Sequence, residues 1–202
     1  MLRLVISTPG DVVRAENVQK QMSSVGLQIG DYQTVEAIMI PKMARTGISR
    51  SHKKCVQLAK DRKEPYVLVM EDDMNWRCPE AYKRFVDILN SELPPDADLF
   101  FSGIYSSDPE LQIISERLAA CPGKIAGLHA YIVFEKFYDK YLSADEVYNI
   151  DHFLTSSDHL NAKSYVAYPF LCMQNDGYSY NTGMVTSYNP NIGDRYKLWD
   201  CK

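Results

Sequence analysis

The sequence predicts an α/β protein, with a mainly parallel central sheet flanked by helices in a single Rossmann-like domain over residues 1–202. Short apolar runs rich in β-branched and aromatic residues alternate along the chain with segments that have the apolar spacing of helices. This alternation is typical of strands joined by helical crossovers. The run at 66–70 is apolar throughout, as expected of a strand covered on both faces in a parallel sheet. We expect this one domain to be the whole protein or one domain of a longer polypeptide.

The first third of the chain contains the beginning of the predicted sheet. An apolar run at 2–7 ends at the turn TPGD, where Asp11 is available to start a helix that closes at Gly26. Apolar residues at helical spacing indicate a second helix, which leads into the strand at 66–70. The predicted elements are, in order, a strand at 2–7, a helix at 15–26, a strand at 32–40, a helix at 49–61 and a strand at 66–70.

The rest of the chain continues the alternation of strands and helices. Pro79 is suited to the first turn of a helix, and apolar residues at helical spacing follow it. The further predicted elements are, in order, a helix from Pro79, a strand at 97–105, a helix at 108–120, a strand at 125–134 that runs into a helix, a short helix after Asp151, a strand at 164–174 and a loop at 175–191.

Composition restricts the partners that the protein can have. The formal net charge of −4 provides no electrostatic footprint for nucleic acid, so no nucleic-acid partner is expected. No apolar run reaches the ~18 residues of a membrane span, and the N-terminal segment turns polar too early for a signal peptide. We therefore expect a soluble protein with no membrane span.

Cysteine usage indicates a reducing compartment, and hence a cytoplasmic location. The five cysteines are odd in number, widely spaced and without a CxxC pair. Cys55 and Cys172 lie in apolar patterns, so we expect them to be small core residues rather than nucleophiles.

Three consecutive carboxylates, Glu71, Asp72 and Asp73, follow the strand at 66–70. In open α/β sheets ligands collect at the carboxyl ends of strands. Adjacent carboxylates repel each other, and a cation or a set of hydrogen-bond donors between them relieves that repulsion. Two explanations are open at this point. The triplet is either a ligand site or an acidic turn that also serves the helix after Pro79.

Three blocks of sequence matter more together than the triplet alone. They are GISRSHKKCVQLAKDRKEPYVLVMEDD, GLHAYIVFEKFYDKYL and NIDHFLT…VAYPFLCMQNDGYS, and they span roughly residues 45 to 180. In this order they resemble glycosyltransferase family 25, a group of lipopolysaccharide and collagen sugar transferases with a GT-A fold, of which large DNA viruses encode small members. The family's arginine-rich helix start is reduced here to Arg14. The matching positions are Ser51, His52, Glu71, Asp72, Asp73, Gly127, His129, Ala130, Tyr131, Asp151, Pro169, Gln174 and Ser179.

The resemblance implies a GT-A transferase that uses a nucleotide sugar and a divalent cation, Mn²⁺ or Mg²⁺. It makes Asp73 the direct ligand of the cation, and hard cations of this kind often take only one or two protein carboxylates beside phosphate and water. Glu71 and Asp72 are expected to bind the ribose or water on the cation. The stretch around Gln174 and Ser179 either covers the donor or is an ordinary polar loop. The residues expected to hold the nucleotide are Ser7, Thr8, Glu71, Asp72, Gln174 and Ser179.

An inverting transferase also needs a carboxylate base for the acceptor hydroxyl, on the face opposite the diphosphate. Asp151 is the candidate, because it matches the Asp-containing loop of the family. A helix cap is the equally weighted alternative for Asp151, and Asp158 is the alternative base. His52 and His129 are expected to be structural rather than metal ligands, while His152, beside the proposed base, is a better candidate for a metal ligand.

The predicted function is thus metal-dependent, inverting transfer of a hexose from a nucleotide diphosphate sugar, with a UDP-sugar favoured, to a glycan or another hydroxyl acceptor. The alternative is a non-catalytic module of the same fold that binds a nucleotide sugar or a carbohydrate. A metal-dependent phosphohydrolase is disfavoured, because it would need more carboxylates or histidines converging from other strands. The cytoplasm would be that of the host if a virus encodes the chain.

Overall fold

The computed structural model describes residues 1–187 and 196–201, in which strands and helices alternate over most of the chain. The helices are α1 (Val12–Ser24), α2 (Ala44–Asp61), α3 (Pro79–Ser91), α4 (Tyr138–Leu142) and α5 (Ile150–Thr155). The strands are β1 (Leu2–Ser7), β2 (Gln33–Glu36), β3 (Tyr66–Glu71), β4 (Met74–Trp76), β5 (Leu99–Phe101), β6 (Ser106–Asp108), β7 (Gln112–Ile113), β8 (Leu118–Cys121), β9 (Lys124–Ala126), β10 (Ala130–Phe134), β11 (Ser164–Ala167), β12 (Cys172–Gln174), β13 (Gly177–Ser179) and β14 (Met184–Thr186).

Eight strands form the central sheet, in the order β2-β1-β3-β10-β5-β11-β8-β7. Strands β1, β2 and β3 are parallel to one another, as are β5 and β11. Only β10 and β8 run against the other six strands of this sheet. The predicted α/β class with a mainly parallel sheet is therefore confirmed, and the carboxyl ends of β1 and β3 meet at one edge.

The core lies on both faces of the sheet, which explains the unbroken apolar run in β3. Val67 and Val69 pack on the side of α2, where Cys55 is fully buried. Leu68 and Met70 pack on the opposite side, against α1 and α3. Full burial of each such side chain stabilises the fold by about 1.5–3 kcal/mol. Cys172 is also fully buried, so the expectation that Cys55 and Cys172 are core residues is confirmed.

Two predicted helices begin earlier in the structure than in the sequence analysis. The Asp11 side chain accepts a hydrogen bond from the backbone N–H of Arg14 at 3.0 Å, which places the start of α1 at Val12. Helix α2 begins at Ala44 and contains Gly47, a residue that disfavours helix on propensity alone. A Cβ at Gly47 would collide with the carbonyl oxygen of Ile38, so the glycine permits close approach of α2 to the loop after β2.

The prediction of a helix at 108–120 is wrong, because this segment contains the end of β6 and the strands β7 and β8. Strand β8 pairs antiparallel with β11, and this pairing buries Leu118 and Ala119. Ile113 and Ile114, whose spacing favoured a helix, are 56% and 53% exposed. Tertiary pairing at the sheet therefore overrides the local helical pattern.

Several predicted strands are shorter than expected or divided. The strand predicted at 32–40 contains only β2, and the one at 164–174 is divided into β11 and β12. The strand at 125–134 is divided into β9 and β10 by Gly127, whose φ of 110° suits glycine. The loop predicted at 175–191 contains the β13–β14 hairpin, and residues 188–191 lie outside the described part of the chain.

Cys78 and Cys201 form a disulfide, which the sequence analysis did not predict. Disulfides persist mainly in oxidising environments. The pairing therefore removes the basis for placing the protein in a reducing compartment. Cys55, Cys121 and Cys172 are free and buried. In the part of the chain that the structure describes, we find no helix with the length and apolar character needed to span a membrane.

Candidate functional site

A cavity of about 840 Å³ lies at the edge of the sheet where β1 and β3 end. Ligand cavities commonly measure ~300–1,000 Å³, so this one is large enough for a nucleotide sugar. Ser7 is a predicted site residue that does not line it; the Ser7 carbonyl accepts a hydrogen bond from the backbone of Ala37 instead. The predicted residues that line the cavity are Thr8, Glu71, Asp72, Asp73, Asp151, Gln174 and Ser179.

Asp72 connects the strand end of β3 to the turn after β1. One carboxylate oxygen accepts the backbone N–H of Thr8 at 2.6 Å, and the other lies 2.5 Å from Nη1 of Arg14. The side chain of Asn17 donates to the backbone carbonyl of Asp72 at 2.8 Å. Both oxygens of Asp72 are thus occupied within the chain, and the residue is 3% exposed. Asp72 fixes the geometry of the acidic cluster.

Asp73 has one occupied oxygen and one free oxygen. Oδ2 accepts a hydrogen bond from the Gln174 side chain at 3.0 Å and lies 3.1 Å from Nη1 of Arg14. Oδ1 is buried and has no hydrogen-bond partner among the described residues. Burial, followed by the charge of Glu71, raises the pKa of Asp73 to about 7, against the opposing effects of Arg14 and Gln174. The free oxygen therefore favours an additional positive partner.

Arg14 is the functional residue whose importance the sequence analysis missed. Its guanidinium contacts both aspartates, donates to the carbonyl of Tyr178 at 2.8 Å and lies 5.2 Å from the centre of the Tyr180 ring. Burial acts to lower the pKa of Arg14, but the charges of Asp73 and Asp72 outweigh it and raise the pKa. The sequence signals were its place in the first helical turn after Asp11 and its position in the helix start that is arginine-rich in the family that the chain resembles. Arg14 joins the β13–β14 hairpin to the acidic cluster.

We expect Arg14→Gln to tighten binding of Mn²⁺ alone by about tenfold or more, because the substitution removes a positive charge whose repulsion of a nearby cation is worth up to several kcal/mol at an effective dielectric constant of ~20. If the cavity holds the nucleotide that the sequence analysis predicts, the same change should weaken binding of UDP in the presence of Mn²⁺, since it removes a positive charge from the cavity wall. Titration calorimetry with MnCl₂ and then with UDP measures both effects. Arg14→Lys, which keeps the charge, is the matched control. Unchanged Mn²⁺ affinity in a folded Arg14→Gln protein would contradict the prediction.

Glu71 and His52 line the cavity, whereas His129 is buried behind the end of β3, where its backbone carbonyl accepts the N–H of Glu71. Glu71 Oε1 lies 3.1 Å from Nε2 of His52. Burial acts to raise the pKa of Glu71, but the hydrogen bond from His52 leads the effects that lower it, and the pKa is lowered. His129 donates from Nε2 to the carbonyl of Cys172 at 3.1 Å, and burial lowers the pKa of His129. Both histidines thus make hydrogen bonds within the chain, as their structural interpretation predicts.

Asp151 lies in the first turn of α5, on the cavity wall beside His152. Its carboxylate accepts the backbone N–H of Gly127 at 3.1 Å and that of His152 at 2.9 Å. Burial raises the pKa of Asp151, against the charge of His152 and the hydrogen bond from Gly127. The N-cap position of the helix is occupied by Asn149. Asp151 is therefore not the capping residue itself, and its raised pKa suits a proton acceptor.

Asp158, the alternative base, is exposed and does not line the cavity. Its backbone N–H contacts the hydroxyl of Ser156 at 3.3 Å. The structure thus brings Asp151 to the same cavity as Asp73 and does not bring Asp158 there.

No protein-family model matches the chain, and no curated protein sequence is significantly similar to it. Its fold is similar to the crystal structure of A197 from STIV, at 13% identity over 82% of this chain and 81% of that chain, with a TM-score of 0.50. It is also similar to the mannosyltransferase PcManGT from Pyrobaculum calidifontis, solved with GDP-Man and Mn²⁺, at 8% identity over 82% of this chain and 55% of that chain, with a TM-score of 0.48.

A third similar structure is a glycosyltransferase involved in the glycosylation of the major capsid of PBCV-1. The identity is 12% over 70% of this chain and 64% of that chain, with a TM-score of 0.42. At these identities the likeness to A197 concerns the fold alone, and the two lower TM-scores carry no functional conclusion. Membership of glycosyltransferase family 25 stays a prediction from the sequence motifs.

Proposed function

We propose that the chain is a metal-dependent, inverting glycosyltransferase that moves a hexose from a nucleotide diphosphate sugar, with a UDP-sugar as the favoured donor, to a glycan or another hydroxyl acceptor. The observation that carries the proposal is the buried, unpartnered Oδ1 of Asp73, a residue that lines a cavity of about 840 Å³. Asp151 lies on the wall of the same cavity. The proposed transferase domain spans 1–202, alone or within a longer polypeptide.

The residues around Asp73 fit a divalent cation that takes most of its ligands from the substrate phosphates and from water. Among residues 1–187 and 196–201, no group of three or more His, Cys, Asp or Glu side chains is arranged to hold a metal ion. Mg²⁺ and Mn²⁺ need only one or two protein carboxylates when substrate phosphates and water complete their shell. Asp73 Oδ1 would hold the cation, which when bound supplies charge stabilisation to the leaving diphosphate.

The other side chains of the site have separate roles in the proposed reaction. Arg14 and Gln174 hold Oδ2 of Asp73, so that Oδ1 is the oxygen left for the ligand side. Thr8 and Arg14 hold Asp72 and thereby fix the strand end of β3. Asp151 accepts the proton of the acceptor hydroxyl while the hydroxyl oxygen bonds to the anomeric carbon and the nucleoside diphosphate leaves. Each of these roles uses an atom that lies at the cavity or orients one that does.

Titration calorimetry with UDP, with 1 equivalent or more of MnCl₂ and with EDTA, tests the proposal directly. We expect Mn²⁺ to tighten UDP binding by at least about tenfold, because Asp73 would hold a hard cation that also takes phosphate oxygens as ligands. GDP, CDP and ADP measured in parallel test the preference for uridine. Absence of metal-dependent binding for every one of these nucleotides would contradict the proposal.

The Arg14 ion pairs favour a second candidate function, a module that binds a nucleotide sugar or carbohydrate without turnover. Arg14 already supplies a positive charge to both Asp72 and Asp73. Release of UDP or GDP from a panel of nucleotide sugars, with and without Mn²⁺, separates the two candidates. A transferase releases the nucleotide in a metal-dependent manner, whereas a binding module shows affinity without any product.

A further inference from the structure

Beneath the cavity floor, four side chains form a continuous line of hydrogen bonds. Tyr141 Oη lies 2.6 Å from Tyr131 Oη, which lies 2.9 Å from Nδ1 of His52. Nε2 of His52 lies 3.1 Å from Oε1 of Glu71. His52, Tyr131 and Tyr141 are each at most 1% exposed, so none of the three exchanges these contacts for water. We call these three residues the relay.

All three hydrogen bonds of this line can form with their donors pointing the same way, from Tyr141 towards Glu71, if the His52 imidazole is neutral. Tyr141 donates to Tyr131, Tyr131 donates to Nδ1 of His52, and the N–H at Nε2 donates to Glu71, because a carboxylate only accepts. Burial raises the pKa of Tyr131 and of Tyr141, so both phenols keep their protons. The tautomer of His52 is thus set from the far end of the line, and Glu71 is held through one oxygen.

The second carboxylate oxygen of Glu71 is free to accept a hydrogen bond from a ligand in the cavity. Glu71 lines the cavity, and its Oε2 makes no hydrogen bond with any residue in the described ranges. On the neighbouring strand, Ile6 is the register partner of Glu71. Ile38 lines the same corner, and its backbone N–H is held by the Ser51 hydroxyl at 2.8 Å, one residue before His52. An oriented acceptor beside apolar surface suits a nucleoside, whose base is flat and whose sugar carries hydroxyl donors.

We propose that His52, Tyr131 and Tyr141 are positioning residues that hold Glu71 as the acceptor for the ribose hydroxyls, so that the site selects ribonucleotides over 2′-deoxyribonucleotides. This inference rests on the proposed function, because it assigns the nucleotide of the donor to that cavity. The acceptor is selective because a carboxylate held in one orientation makes a charge-assisted hydrogen bond to a ribose hydroxyl, and a 2′-deoxyribonucleotide has one hydroxyl fewer to donate.

Binding of UDP and dUDP, each with Mn²⁺, tests the inference. The wild-type protein should prefer UDP by about tenfold or more, the size expected of one hydroxyl bonded to a charged acceptor. In Tyr131→Phe the preference should fall to about threefold or less, with dUDP affinity unchanged, because Glu71 loses its orientation and dUDP never used it. Tyr141→Phe, one link further away, should reduce the preference by a smaller factor.

Tyr138→Phe is the matched control. Tyr138 is buried on the same helix as Tyr141, but its hydroxyl donates to the carbonyl of Glu64 at 3.1 Å and takes no part in the relay. The control should keep the wild-type preference for UDP. Nitrogen-15 NMR of the histidine rings gives an independent readout: His52 should carry its proton on Nε2 in the wild-type protein, and this preference should weaken in Tyr131→Phe.

The possible failures of the two proposals differ from each other. Equal wild-type affinities for UDP and dUDP would overturn the ribose assignment while leaving the proposed transferase intact. A strong wild-type preference that persists in both phenylalanine variants would overturn the positioning role, as would a doubly protonated His52 ring. Absence of binding by both nucleotides would overturn the proposed function and the inference with it.

Discussion

Asp73→Asn is expected to abolish the effect of Mn²⁺ on UDP binding and to leave the fold intact. The substitution keeps the shape of the side chain, and its oxygen can still accept the hydrogen bond that Gln174 donates to Asp73 at 3.0 Å. It removes the negative charge from Oδ1, the buried oxygen without a partner. UDP affinity with Mn²⁺ should therefore fall by at least tenfold, to the value measured in EDTA.

Stability should not fall with this substitution, because it removes a buried carboxylate. Burial and the charge of Glu71 raise the pKa of Asp73, which means that the ionised form is disfavoured in the folded protein. Thermal unfolding without metal is expected to occur at the wild-type temperature or above it. Asp139→Asn is a control for loss of a carboxylate outside the cavity, since the Asp139 side chain is 83% exposed. Retention of the full Mn²⁺ effect in a folded Asp73→Asn protein would remove Asp73 from the metal site.

Asp151→Asn is expected to reduce the rate of transfer by at least ~10²-fold, the usual cost of losing a general base. UDP affinity should stay within about twofold, since Asp151 acts on the acceptor rather than on the donor. The Asn oxygen can still accept the N–H of Gly127, which Asp151 accepts at 3.1 Å. The N-cap position belongs to Asn149, so the start of α5 is preserved. Steady-state turnover and UDP titration on the same preparation measure the two effects.

Asp158→Asn is the matched control for the proposed base. Asp158 is exposed and outside the cavity, so its substitution should leave turnover unchanged. Full activity in Asp151→Asn would remove Asp151 from the mechanism. A large loss confined to Asp158→Asn would transfer the role of base to Asp158.

The strand at 66–70 shows what local pattern predicts well. Its five apolar residues alternate between the two faces of β3, and both faces are covered by helices. An apolar run of this length has few other stable arrangements in a globular domain, so the strand and its buried position could both be predicted from its residues. The same holds for Asp11, which caps α1 by accepting a hydrogen bond from the backbone N–H of Arg14, only three residues further along the chain.

The segment at 108–120 shows where local pattern fails. Its apolar spacing suits a helix, but Leu118 pairs with Ala167, 49 residues further along the chain. At Gly47 the error has the opposite sense, because the sequence analysis left this residue outside the helix and the structure places it inside α2. The low helix propensity of glycine is outweighed there by a close contact with Ile38 that only glycine permits. In both cases a contact distant in sequence outweighs a local preference.

The sequence by itself determined the α/β class and the acidic end of β3, and every residue that it assigned to the site except Ser7 lines the cavity, because chemical type and periodicity are local properties. The tertiary structure alone decided that one oxygen is free on Asp73 while both oxygens of Asp72 are occupied. Arg14 reaches Asp72 across 58 residues, and Gln174 reaches Asp73 across 101. His52 reaches Tyr131 across 79 residues. Such contacts depend on strand register and helix packing, which the pattern of any one segment does not contain.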